Sequence, residues 1–238
     1  MDITKIPGIM RHHNWANGAR LMDAWFARPV SSKPAYGLPP VFVSIDWALG
    51  FSPVKSKYEE IIRDKIWANS AAKKELRRQL ERKGQLRQFS CTPFGDLSKS
   101  APDLEDDYIN FRAVGGYVYQ YYSYRGLNDL TAALGRFVMN VAIAGMVESI
   151  PNTQQFKVSV SEVGVYIKDS YDFEGDQFLG YWDENDNSVS TINRFSGDGV
   201  SNEDFRNWRN ANGKGGDFRV YSDVKRHSFG RAPDTFNI

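Results

Sequence analysis

The sequence predicts an α+β protein in which a helical N-terminal half packs against a mainly antiparallel, twisted or half-barrel sheet in the C-terminal half. Three observations carry that prediction. Apolar residues recur at helical spacing in three stretches before residue 150, β-branched residues alternate with polar ones after it, and no internal repeat runs through the chain. With 238 residues, of which 41% are hydrophobic and 14% aromatic, the chain is long enough to bury a sizeable core. The expectation is a single domain over residues 1–238, mainly helical over 1–150 and mainly β over 151–238.

Residues 8–28 place Ile9, Trp15, Ala19, Leu21, Met22, Trp25 and Phe26 at helical spacing, with a break expected near Asn17 and Gly18 and a stop at Pro29. Pro29–Pro40 reads as a linker crossing the surface. VFVSIDWALGF follows as a strand with Val41, Val43, Ile45 and Trp47 on one face. A long amphipathic helix is expected from Ser56 to its terminator Gly84, with Lys73, Lys74, Arg77, Arg78, Arg82 and Lys83 as a solvated face or a docking surface for anionic groups. LRQFSCTPF suggests a strand. Tyr117, Tyr119, Tyr121, Tyr122 and Tyr124 suggest another, with stacking on bases or sugars as the alternative. Asn128 or Asp129 caps an apolar run read as a central buried helix through Val147, too short to span a bilayer. A short helix is expected over Glu203–Asn210, and Phe218, Val220 and Tyr221 mark a last strand.

Composition narrows the function classes. Thirty Lys and Arg against 29 Asp and Glu leave a net charge of +1, without the global basic field of a non-specific nucleic-acid binder. The single Cys91 excludes an internal disulfide framework and a multi-cysteine zinc site, and is expected buried in its strand. Adjacent His12 and His13 do not share a helix face and make a poor metal pair. The N-terminal MDITKIPGIMRHHNW has no basic segment followed by an apolar one, so no secretory signal is expected. GKGGD at 213–217 lacks the spacing and the Ser or Thr of a phosphate-binding loop.

The chemistry gathers in FKVSVSEVGVYIKDSYDFEGDQFLGYW, residues 156–182. Val158, Val160, Val163, Val165 and Ile167 form a β-branched run whose alternation slips between Ser161 and Gly164, as in a bulged strand. Asp169, Ser170, Tyr171 and Asp172 stand at its carboxyl end, and Glu174, Asp176 and Asp183 follow before and after the chain returns. An acidic, solvated loop is one reading of these residues; a catalytic strand end is the other.

The DSYDF signature at 169–173, with LG at 179–180 and the later strand carrying Phe218 and Val220, resembles the catalytic region of the colicin M family of bacteriocins. The resemblance implies a metal-dependent phosphodiesterase, with Mg2+ as the ion, that cuts the undecaprenyl-pyrophosphoryl link of lipid II. It implies Asp172 as metal ligand or base, Asp169 as its partner in the metal site, and Tyr171 as the group orienting a phosphate or water. The family's His-Arg pair is replaced here by Phe178 and Leu179, so a basic group must come from His227, Arg194 or Lys168. Separately, WANGARLMDAWFARP and GKGGDFRVYSDV are similar to a bacterial family associated with type VI secretion loci. Together these imply an antibacterial effector made in the bacterial cytoplasm without a signal peptide, secreted, and active in the target-cell periplasm. The partners implied are lipid II, a cognate immunity protein and a secretion-apparatus spike or adaptor, with no specific nucleic acid. A nuclease toxin, or a non-enzymatic adaptor or immunity-type protein, stands as the alternative.

Overall fold

The computed structural model describes residues 1–31, 38–115, 127–192 and 197–238. The tyrosine tract at 117–124 and Arg194 lie outside the described residues, as does the middle of the 29–40 linker.

The chain begins with α1 (Ile6–His12) and α2 (Ala16–Ala27), separated by Asn14 at φ 61°. The break thus falls three residues before Asn17, where it is expected to begin. α2 buries Ala19, Leu21, Met22 and Trp25. β1 (Val41–Val43) is shorter than expected because the Ser44 hydroxyl accepts from the Trp47 amide at 3.3 Å and starts α3 (Ile45–Leu49). The expected 56–84 helix is two helices, α4 (Ser52–Arg63) and α5 (Ser70–Arg82). Left-handed Lys65 ends the first, and Asn69 caps the second through the Ala72 amide at 2.9 Å. β2 (Cys91–Phe94) and β3 (Tyr108–Val114) follow, and then α6 (Asp129–Ala133) with a capping box between Asn128 and Thr131.

β4 (Phe137–Ser149) corrects the expectation of a buried helix. A strand paired along both edges and covered on both faces reads as an unbroken apolar run, which periodicity alone does not separate from a buried helix. Val138, Val141, Ile143 and Val147 supply the β-branched character. β5 (Phe156–Tyr171) is the predicted long strand, and its ladder with β4 slips where Ala144 opposes Glu162 and Gly145 opposes Val160. Ser161 is therefore the extra residue of a bulge, inside the stretch where the sequence alternation fails. β6 (Phe178–Trp182) does not pair back on β5; it lies between β7 (Val189–Ser190) and β8 (Asp198–Ser201) in a small antiparallel sheet. α7 (Asn202–Asn212) is capped by Ser201 and Asp204 and ended by Gly213 at φ 63°. β9 (Phe218–Ser222), β10 (Lys225–Ser228) and β11 (Asp234–Asn237) complete the chain. Helices in the N-terminal part and a largely antiparallel sheet in the C-terminal part make the fold α+β, as the sequence predicts.

The described chain forms two compact units that interleave in sequence, so a division near residue 150 does not separate them. Unit two comprises Ser44–Val114, Val138–Lys168 and Tyr221–Ile238. Its sheet places β4 between β2 and β5, and both β10 and β11 pair with β5. Tyr166 is buried there, its hydroxyl donating to Leu104 O at 3.2 Å and accepting from Asn140. Cys91 is exposed instead of buried, because β2 is a terminal strand and Cys91 stands opposite exposed Glu148. Half of the basic face of α5 is answered within the unit: Arg77 pairs with Glu81, Arg78 with Glu75 and Lys83 with Asp107.

Unit one comprises Met1–Val43, Gly115–Phe137 and Asp169–Val220. Trp25 is its centre, fully buried among Phe26, Phe173, Phe205 and Trp208. Burying an indole requires a partner for its N–H. Trp25 Nε1 donates to Asp217 Oδ1 at 2.9 Å, and Asp217 is in turn paired with Arg209. One glycine of GKGGD serves this packing: a Cβ on Gly215 would lie 2.5 Å from the Trp25 ring.

Candidate active site

Within unit one, the last residues of β5 open into a cavity of about 370 Å³. Asp169, Ser170, Tyr171, Asp172 and Phe173 are among the residues that line it. Met10, Met22, Leu127 and Leu134 give the lining an apolar part, and Trp15 and Trp182, also in the lining, meet edge to face at 6.3 Å. Thr131, Gln177 and Asn202 add neutral polar groups, and exposed Arg136 adds one guanidinium. α2 and α6 approach closely because Gly18 has no side chain; a Cβ there would lie 2.7 Å from that of Ala132. Asp129 fastens the same contact by accepting from the Gly18 amide at 2.8 Å and from Asn17 at 3.2 Å.

The carboxylate turn is held from α7. Asn202 Nδ2 donates to Glu174 O at 2.6 Å, and Arg206 donates to Phe173 O at 2.8 Å and to Gly175 O. Phe173 and Phe205 stack at 3.8 Å beneath it. Asp172 Oδ1 accepts from the Glu174 amide at 3.3 Å, a turn-forming bond.

Burial and like charge both act on the pair. Burial raises the Asp169 carboxyl well above the ordinary value of 3.8, Asp172 adds to the rise, and Arg219 opposes it. Asp172 is raised as well, chiefly by burial and further by Asp217 and Glu174, against Arg209. Tyr171 is raised by burial and then by Asp169, so its phenol stays protonated and keeps a proton to donate; its ring stacks on Phe218 at 5.3 Å.

Among the described residues no group of three or more His, Cys, Asp or Glu gathers for a metal. The donors present, two carboxylates with hydroxyl and amide oxygens nearby, fit a hard ion such as Mg2+ that keeps several waters. They do not fit a closed protein cage.

Asp169, Tyr171 and Asp172 are thus brought together. His227 is not among the lining residues: it lies in unit two on β10, opposite Val163 and edge-on to Phe229. Lys168, also in unit two, is occupied by Glu105. The sequence reading missed Arg136, Arg219, Trp15, Asn202 and Arg206. No local signal marks them, because each comes from a segment distant from DSYDF, and Trp15, Arg136 and Arg206 lie in stretches that read simply as helix.

No curated protein and no solved structure matches the chain. The profile of one family does match, over residues 40–196 and 193–235, which is most of the sequence. The chain belongs to that family, DUF6402, a family of unknown function.

Proposed function

We propose that the cavity is the active site of a hydrolase acting on the undecaprenyl-pyrophosphoryl linkage of lipid II, and that the protein is an antibacterial effector that blocks peptidoglycan synthesis. One observation supports this reading above the others: Asp169 and Asp172 line one cavity together with Arg136 and several apolar residues. Carboxylates on separate convex surfaces would support no joint chemistry.

The lining suits an amphiphile, with the pyrophosphate at the polar end and the first carbons of the lipid against Met10, Met22, Leu127 and Leu134. A pyrophosphate beside two carboxylates needs cations to offset the repulsion, and Arg136 alone does not suffice. Asp172 and Asp169 would hold Mg2+, which when bound supplies Lewis-acid polarisation of phosphate oxygens. Asp172 also suits proton abstraction from the attacking water, and the Tyr171 phenol suits donation to a phosphate oxygen. Hydrolysis adds water across the linkage and leaves the lipid alcohol and the pyrophosphorylated head group.

The nuclease alternative draws less from α5, where Arg77, Arg78 and Lys83 are paired within their own unit. The test is turnover of lipid II in detergent with Mg2+. Wild type should release both products, and Asp172→Asn or Asp169→Asn should lose about 10²–10⁴-fold in rate. Glu174→Gln and Asp176→Asn, in the same turn but outside the cavity lining, should remain active. Equal rates in all four variants would remove the proposal. A periplasm-directed chain should be toxic; toxicity confined to the cytoplasm would favour a nuclease, and none in either compartment an adaptor or immunity-type protein.

A further inference from the structure

Phe89 is 91% exposed and sits at φ 56° in the loop between α5 and β2. A bulky side chain in the left-handed region is a backbone outlier, and an outlier that buries nothing gains no packing in return. The conformation is nonetheless clamped. The Phe89 amide donates to Ser149 Oγ at 2.8 Å, the Ser149 amide donates to Ser90 O at 3.2 Å, and Ser90 Oγ donates to Arg87 O at 2.7 Å. Two neighbouring residues of one loop are thus tied to the end of β4 in a geometry that drives the ring outward. Beyond Phe89 the exposed residues of β2, Cys91 and Pro93, stand opposite Glu148 and half-exposed Met146.

Charge identifies what this surface fits. Residues 82–95 contain Arg82, Lys83 and Arg87 and no acid. Lys83 is answered by Asp107, whereas Arg82 and Arg87 donate to the backbone carbonyls of Asp106 and Gly84, so their charges are not neutralised by those bonds. An exposed aromatic ring on a cationic loop suits insertion into a soft anionic layer, where ring and headgroup contacts form together. No helix of the described residues is long and apolar enough to cross a membrane, which leaves the interface as the depth such a loop reaches.

We propose that the 82–93 loop is a membrane-interface anchor, with Phe89 inserted at the acyl boundary and Arg82 and Arg87 on anionic headgroups. This surface belongs to unit two and stands independently of the chemistry assigned to the cavity. The test is co-sedimentation of the full chain with vesicles of phosphatidylcholine alone or rich in phosphatidylglycerol. The protein should bind only the anionic vesicles and be released by about 0.5 M salt. Phe89→Ser should weaken partitioning about tenfold or more, from the apolar area it removes. Arg87→Gln should weaken it about fivefold. Phe89→Gly, which relieves the backbone conformation, should be at least as thermally stable as wild type while losing binding, and Phe89→Trp should bind with a blue-shifted emission. Absence of binding to anionic vesicles, salt-insensitive binding, or equal binding by Phe89→Ser and Phe89→Gly would overturn the proposal, and pairing of the loop with a protein partner would then take its place.

Discussion

Replacing Arg206 by Met should loosen the turn that presents Asp172 without touching the cavity lining. The methionine keeps the apolar stem of the side chain and removes the guanidinium that binds Phe173 O and Gly175 O. Charge-assisted hydrogen bonds contribute about 1.5–3 kcal/mol each. Glu174, Gly175 and Asp176 are exposed, so water replaces part of what is lost and each bond belongs at the low end. The ion pair to Asp176 at 3.6 Å adds little, because that carboxylate is fully in solvent. The expected cost is about 2–3 kcal/mol, or a fall in Tm of roughly 4–12 °C for a chain of this size. Denaturant unfolding measures the first and a thermal scan the second. Asn202→Ala removes the other tether, at 2.6 Å to Glu174 O, and should cost about 1 kcal/mol alone. Since both side chains hold one turn, the double variant should deviate from additivity by at least ~0.5 kcal/mol. A change below about 0.5 kcal/mol for Arg206→Met would show that α7 does not hold the turn, and the account of how Asp172 is positioned would fail.

Two further outcomes follow from the same unit. Asp169 has a folded-state value above its ordinary 3.8, so its contribution to stability is present below that value and is lost as pH rises through the folded value. Without metal, Asp169→Asn should therefore match wild type near pH 3.5 and become progressively more stable than wild type toward neutral pH; a difference of the opposite sign in pH-dependent unfolding would refute the burial argument. Gly215→Ala should destabilise by about 2–3 kcal/mol, since its Cβ would meet Trp25 at 2.5 Å and its φ is +94°, whereas Gly213→Ala, at φ +63° with open space around it, should cost only about 1 kcal/mol. Equal losses at the two glycines, measured by denaturant unfolding, would mean that Trp25 does not set the constraint.

The legible parts of the sequence were those written by local physics. The slip between Ser161 and Gly164 foretold the bulge at Ser161, since one extra residue reverses which side chains face the core. The strand-end placement of Asp169 and Asp172 was equally readable, because a β-branched run ending in Asp and Ser has few other interpretations. β4 was not legible: Phe137–Val147 lacks the polar punctuation that would expose its period, and only pairing on both edges makes it a strand. The return of the chain at β6 to a different sheet was hidden for the same reason, because sequence proximity does not specify a hydrogen-bonding partner. The cavity was the least visible feature. Arg136, Trp15 and Asn202 come from three distant segments, and what joins them is the close approach of α2 to α6 at Gly18 and the docking of α7 beneath the carboxylate turn.

The central claim is that Asp169 and Asp172 act together on one cation-dependent site. Titration calorimetry of the purified chain with Mg2+ at neutral pH tests it most directly. The account predicts one saturable site whose affinity rises with pH as the two carboxyls lose their protons, and falls by at least ~100-fold in Asp172→Asn and strongly in Asp169→Asn. Glu174→Gln and Asp176→Asn should titrate like wild type. Absence of a saturable heat, or affinity undiminished in Asp172→Asn, would contradict it.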